Sequence, residues 1–190
     1  MGLFRPLVRR TVRWRPAEGE GLEHLTVEAL GDGRIEARSV VVGERGGSPY
    51  GASYRIRCDA GWRVAGFEVG DATGRRLAMT SPEPGRWQDA EGRARAEFDG
   101  CIDIDLSATP FTNTLPIRRL ELTEAQGAIE LAMLYVPFDT LEPIRDAQRY
   151  SAIEDGRLCR YEASDRSFVA ELPLDADGLV TDYPTLFRRL

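Results

Sequence analysis

The residues best suited to chemistry lie together in the stretch Gly100–Leu120, GCIDIDLSATPFTNTLPIRRL. Asp103 and Asp105 stand two apart in an apolar run. Strand alternation sends both carboxylates to one face with Cys101 and Ser107, while Ile102, Ile104 and Leu106 take the other. Paired carboxylates could bind a divalent cation, or share acid and base roles as in retaining glycoside hydrolysis, where they sit about 5–5.5 Å apart. Arg118 and Arg119 supply the competing reading, because forked guanidinium donors suit carboxylates and such ion networks are often structural. Between them, Thr112, Asn113 and Thr114 could bond sugar hydroxyls, or could bond neighbouring backbone and shape a turn. The residue types favour the ionic network and the turn; the readings overlap if that network lines a cavity.

Other motifs are weaker. Asp175-Ala176-Asp177-Gly178 begins like a calcium loop, but Leu186 stands where the closing Glu is needed, so a hairpin turn is expected. His24 is the only histidine, it faces away from apolar Leu25 and Val27, and no Gly-x-Ser-x-Gly element accompanies it. Cys58, Cys101 and Cys159 are widely spaced, which argues against a disulfide framework or a zinc site. Trp14, Trp62, Trp87 and the tyrosines at 54, 135, 150 and 183 could stack on sugars or line an acyl tunnel; aromatic residues on strands more often pack. No catalytic residue, metal or cofactor is assigned.

The elements that must position these groups read as β. Leu25, Val27 and Ala29 alternate with polar residues, Gly31-Asp32-Gly33 turns the chain, and Ile35, Ala37, Ser39 and Val41 return. Strands follow over Tyr54–Cys58, Val64–Val69 and Arg76–Met79, with a loop at Gly43–Pro49 and turns at Asp59–Gly61 and Gly70–Gly74. Ser81–Gly85 reads as an exposed loop. Further strands are expected at Ala94–Phe98, Cys101–Leu106, Ile117–Leu122, Ile129–Val136, Leu158–Ala163, Phe168–Leu174 and Leu179–Tyr183. Ile117–Leu122 and Ile129–Val136 are expected to pair as a hairpin. One helix is expected at Pro110–Leu115 with Thr109 as its N-cap; Leu141–Tyr150 is the rival.

Gly100–Leu120 resembles the signature of the putative glycolipid-binding family of small bacterial proteins. Tyr54–Asp59 with Gly61-Trp62, Gln148-Arg149-Tyr150, Asp177–Val180 and Asp182-Tyr183-Pro184 extend the resemblance over most of the chain from about Trp14. It implies a mainly β, single-domain spiral β-roll, a long, mostly antiparallel sheet wrapped around one short helix, in proteins thought to pair as homodimers. It also implies a non-catalytic binding protein for an amphiphile such as a glycolipid, held in the β-roll; the residue types put its candidate ligand contacts at Asp103, Asp105, Asn113, Arg118, Arg119 and Tyr183. A homodimer without a small ligand, or a hydrolase or isomerase using Asp103 and Asp105, are the alternatives.

Composition fits one domain over residues 1–190. The 190 residues are 42% hydrophobic, and the net charge of -6 argues against nucleic acid as a partner. Every basic side chain is Arg, so P-loop, Schiff-base and kinase-type lysines are excluded. The basic N-terminus, with Arg5, Arg9, Arg10, Arg13 and Arg15, reads as a loose segment over 1–13 or a dimer contact. Its apolar runs are too short for a signal peptide and no run is long enough to insert in a membrane, so the cytoplasm is expected.

Overall fold

Alternation of buried and exposed side chains runs from Thr11 to Arg15, where Val12 and Trp14 point inward and Arg13 and Arg15 point out. In the computed structural model, which describes residues 2–45 and 47–190, this stretch lies in strand β1 (Arg9–Pro16). The loose segment expected over 1–13 is therefore a strand from Arg9 onward. Burial of Trp14 and hydrogen bonding on both sides of the strand hold it.

An antiparallel meander follows: β2 (Leu22–Ala29), β3 (Ile35–Arg45), β4 (Ser48–Cys58), β5 (Val64–Asp71), β6 (Arg76–Glu83) and β7 (Arg86–Asp89). The loop expected at Gly43–Pro49 is mostly strand, paired from Gly43↔Tyr50 to Arg45↔Ser48, and Gly46 lies outside the described residues. Three of the tight turns share one construction. Asp59, Asp71 and Asp89 each accept backbone N–H bonds from the residues two and four positions on, and the arginine four positions on returns to the same carboxylate. Glycine holds the left-handed position in two of them, at Gly74 and Gly92, but Trp62 holds it in the first, with φ 64°. A bulky residue is strained there, and Trp62 is 5% exposed.

The second half comprises β8 (Asp103–Leu106), α1 (Phe111–Leu120), β9 (Ile129–Val136), β10 (Ile144–Glu154), β11 (Leu158–Ala163), β12 (Val169–Pro173), β13 (Asp182–Tyr183) and β14 (Phe187–Arg189). The strands form a nine-stranded sheet, β13-β14-β1-β2-β3-β4-β5-β6-β7, and a five-stranded one, β12-β11-β10-β9-β8. A bridge between Leu174 and Val180 links the end of β12 to the approach to β13, so the two sheets follow one another around a single roll. All named strand pairs are antiparallel except β8 with β9. The fold is mainly β, a curled sheet around one α-helix, as the resemblance implied.

Several expectations change. Ile117–Leu122 is no strand, because α1 runs on to Leu120 and makes β8–α1–β9 a crossover rather than a hairpin. Pro116 inside the helix costs about 3 kcal/mol. Burying Phe111, Leu115 and Ile117, each 0–1% exposed, returns about 1.5–3 kcal/mol per side chain, so packing wins. Ala94–Phe98 forms one bridge at Ala94 and then a short 3-10 turn over Ala96–Phe98, which drops Phe98 into the core beneath Arg95. The rival helix expected at Leu141–Tyr150 does not form: from Ile144 to Glu154 the chain is a long strand between β9 and β11. The helix starts one residue later than expected, with Pro110 rather than Thr109 as its N-cap, though Thr109 Oγ1 still accepts the Phe111 N–H at 3.0 Å.

The helix lies between two apolar clusters. Phe111 and Leu115 join Trp14, Leu25, Ile56, Phe67 and Trp87 on one side. Ile117 joins Tyr150, Tyr161, Leu172 and Tyr183 on the other. The three cysteines are free and buried. Burial pushes the Cys159 thiol up to about 12 and the Cys58 thiol higher still, so neither is a ready nucleophile.

Candidate functional site

Strand β8 and helix α1 form an antiparallel pair of elements, so the two acids of β8 meet residues seven apart on the helix. Asp103, 1% exposed, takes a forked bond from Arg119, with Nη2 at 2.6 Å from Oδ2 and Nε at 3.1 Å from Oδ1. Burial pushes its carboxyl above the usual range, and Arg119 pulls it back. Among the described residues, no arginine pairs with Asp105. Thr112 donates to its Oδ1 at 3.0 Å and Gln148 to its Oδ2 at 2.8 Å. Burial pushes this carboxyl up as well. The acids thus share a face as expected, yet among the described residues only Asp103 belongs to an ion pair.

Asn113 extends the second cluster. Its Oδ1 accepts the Tyr150 hydroxyl at 2.9 Å and its Nδ2 donates to the Pro110 carbonyl at 3.2 Å. Tyr150 also lies 3.2 Å from Gln148 Oε1. The buried chain Thr112–Asp105–Gln148–Tyr150–Asn113 therefore ties the first turn of α1 to β8 and β10. Satisfied networks of this kind fix one packing and penalise others.

Arg118 points elsewhere, correcting the expectation that it pairs with the acids of β8. Its Nη1 donates to the carbonyls of Arg5 and Asp177, both at 3.1 Å, and its guanidinium lies 5.2 Å from the Phe4 ring and 4.8 Å from Trp62. This contact accounts for the strained turn at Trp62. Nearby, Arg5 and Arg10 both reach Asp177, at 2.5 and 2.6 Å, and hold its carboxyl below the usual range. The Asp175–Gly178 turn is a hairpin turn, as expected, but it also anchors the N-terminal arginines. We expect Arg118→Met to cost about 1–2 kcal/mol, the worth of its carbonyl bonds and ring contacts. Urea denaturation checks this, and a loss above 4 kcal/mol would point to a buried acid partner instead.

Tyr183 is separate again. Its ring packs at 6.2–6.4 Å from Tyr161, Phe168 and Phe187, and burial pushes its hydroxyl up. The six residues singled out from the sequence are therefore split between one ion pair, one polar chain, one cation–aromatic cluster and one aromatic cluster. Among the described residues, no group of three His, Cys, Asp or Glu side chains could hold a metal ion.

Another buried acid, on β2, escaped the sequence reading. Glu23, 2% exposed, accepts the Tyr54 hydroxyl at 2.6 Å and the Ser39 hydroxyl at 2.7 Å, both on Oε1. Oε2 has no hydrogen-bond partner among the described residues, and burial pushes the carboxyl up to about 7. The signal was available. Period two puts Glu23 on the same face as Leu25 and Val27, Ser39 with Ala37 and Val41, and Tyr54 with Ile56 and Cys58. Three polar residues interrupt three adjacent apolar faces at one level.

A concavity of about 640 Å³ is on the outer face of β3–β6. It arises because cross-strand neighbours there are small: Val42 opposes Gly51 and Val40 opposes Ser53, which in turn opposes Gly70. Val40 and Val42, 59% and 51% exposed, wall one side. Arg55 and Glu68 close one end, and Arg76, which pairs with Gly70 and makes no ion pair among the described residues, stands on the side opposite Val40.

The family described as "Putative glycolipid-binding" matches residues 11–189. The chain belongs to this family. The stretch Gly100–Leu120 spans β8 and α1, and Tyr54, Trp62, Tyr150, Asp177 and Tyr183, from the other stretches that carried the resemblance, are buried. A crystal structure of a DUF1089 family protein from Pseudomonas aeruginosa is 40% identical, with 93% of this chain and 95% of that chain covered and a TM-score of 0.76. No curated protein matches the chain. Among the described residues, no helix is long and apolar enough to cross a membrane.

Proposed function

We propose that this member of the family is a non-catalytic, cytoplasmic binding protein for an amphiphile, a glycolipid in keeping with the family's description, held on the outer trough of β3–β6. The observation that carries this reading is the trough itself. Its 640 Å³ falls within the usual range of small-molecule sites, whereas α1 and its two apolar clusters occupy the interior of the roll. Val40 and Val42 offer hydrocarbon a wall, Ser53 offers a hydroxyl, and Arg76 offers unshared donors to a sugar or an acidic head group. The acids of β8 support the site indirectly by fixing α1 under the sheet.

Mass spectrometry of lipid extracted from natively purified protein is expected to show a co-purifying amphiphile. Val40→Asp and Arg76→Glu, both at exposed positions, should lower its yield at least tenfold with melting temperature unchanged. Finding no lipid, and no saturable binding of octyl glucoside in a titration, rules the reading out. A homodimer closed over the same face is the second reading, favoured by the exposed Val40–Val42 pair. It predicts sedimentation as a dimer that Val40→Asp converts to a monomer.

A further inference from the structure

The charges around the trough do not balance. Among the described residues two acids line it, and each is held by an arginine from outside the lining: Glu68 by Arg57 at 3.2 Å and Asp71 by Arg75 at 2.7 Å. Three arginines line it, Arg38, Arg55 and Arg76. Arg38 and Arg55 are direct cross-strand partners, an arrangement that is unfavourable for like charges on their own. Glu36 holds them together. It stands on the same outer face of β3, is 3% exposed, and pairs with both, taking Arg55 Nε at 2.6 Å on Oε2. Glu28 lies 3.7 Å from Arg38 but is shared with Arg9 at 3.9 Å. Pairing off Arg9 with Glu28, Arg57 with Glu68 and Arg75 with Asp71 leaves Arg38, Arg55 and Arg76 against Glu36 alone. The trough therefore keeps an excess of positive charge on a chain whose net charge is -6.

The register aims that excess at one place. Across β3–β6 one row reads Val40, Ser53, Gly70, Arg76, and Arg55 lies two residues along β4 from Ser53, on the same face. Gly70 has no side chain, and a Cβ there would meet the Arg76 Cγ at 3.8 Å, so the arginine stem leans over the glycine. Glu36 occupies Nε and Nη2 of Arg55, which leaves Nη1 as its donor to a ligand. Tyr54, the aromatic residue of the lining, is buried on the core side of the sheet, so the trough offers a sugar no ring to stack on. A cationic head group would find both lining acids already paired. An anion meets forked donors that match carboxylate and phosphate.

We propose that the amphiphile of the trough carries an anionic head group, a phosphate or a carboxylate, bound between Arg55 and Arg76 with its chain against Val40 and Val42. This inference rests on the trough reading, which by itself asks only for an amphiphile.

The test titrates the full chain with decyl phosphate, decanoate, decyl glucoside and decyltrimethylammonium, each below its micelle concentration, at low and at high salt. At low salt at least one anion should bind about tenfold tighter than the glucoside, with the cation weakest, and high salt should shrink the difference. Which anion leads separates a phosphate from a carboxylate source. Arg76→Gln, at an exposed position, should melt as wild type does and bring the ratio of anionic to neutral affinity close to unity. Anions that bind no tighter than the glucoside, or a preference undiminished by Arg76→Gln, overturn the proposal and leave the trough reading standing. Failure of all four probes to bind overturns both. Should Arg76→Gln not fold, the wild-type ratio decides: a preference for anions that falls with salt supports the site, and one that salt leaves unchanged overturns it.

Discussion

Replacing Arg119 by methionine is expected to lower stability by about 3–5 kcal/mol, because it leaves the carboxylate of Asp103 buried and unpartnered. Arg119 is the only arginine that reaches Asp103 among the described residues, and the pair is 12% and 1% exposed at its side chains. The loss should depend on pH. Without Arg119 the carboxyl, already pushed up by burial, can escape its penalty by taking a proton, so the deficit should be larger at pH 8 than at pH 4. Removing both charges with Asp103→Leu and Arg119→Met should recover most of the loss, since an apolar pair of similar volume often does as well as a buried ion pair. Urea denaturation of the three variants at both pH values checks this. An Arg119→Met protein as stable as wild type at pH 8 would show that Asp103 does not depend on it.

The second large effect belongs to Glu23. Its carboxyl rises from an unfolded value of 4.5 to about 7 in the folded protein. Between those values the folded state holds a proton that the unfolded state has released. Stability is therefore highest, as far as this group is concerned, below pH 4.5, falls as pH rises, and levels off above pH 7. The full drop is roughly 3 kcal/mol. Glu23→Gln keeps the shape and the acceptor for Tyr54 and Ser39 while removing the titration. The variant should be less pH-dependent by that amount and should overtake wild type near neutral pH. Asp103 and Asp105 shift in the same direction but are present in both proteins, so they cancel in the comparison. Parallel stability curves from pH 4 to 8 would refute the assignment. Asp71, lowered to about 2, and Asp177, also lowered, act oppositely: their contribution is present above their unfolded values and is lost as pH falls toward their folded ones.

Much of this protein was legible before any coordinates. The meander from β2 to β6 follows from alternation and from turns built on Asp and Gly, because in a half-buried antiparallel sheet each face is written into every second residue. The start of α1 was legible to within one residue, since a Thr-Pro pair at a helix start states its own geometry. Where reading stopped, two local signals conflicted or one was absent. Ile117–Leu122 reads as a strand from Ile117, Leu120 and Leu122, and only the fit of Phe111, Leu115 and Ile117 between two apolar clusters carries the helix through Pro116 to Leu120. Arg9–Pro16 looks like a charged tail until Trp14 is seen buried with its Nε1 donating to the Val180 carbonyl at 2.9 Å.

The candidate sites divide in the same way. Strand periodicity by itself determined that Asp103 and Asp105 share a face, that His24 points outward, and that Glu23, Ser39 and Tyr54 point inward, because side-chain direction in a strand is a local property. Which arginine meets which acid was decided by tertiary structure alone. Adjacent helical residues diverge by about 100°, so Arg118 and Arg119 leave α1 in different directions, one to Phe4 and Trp62, the other to Asp103. The outer trough was likewise beyond the sequence, for it exists only where the register of four strands sets Gly51, Ser53 and Gly70 side by side, and register is a relation between segments that no single segment carries.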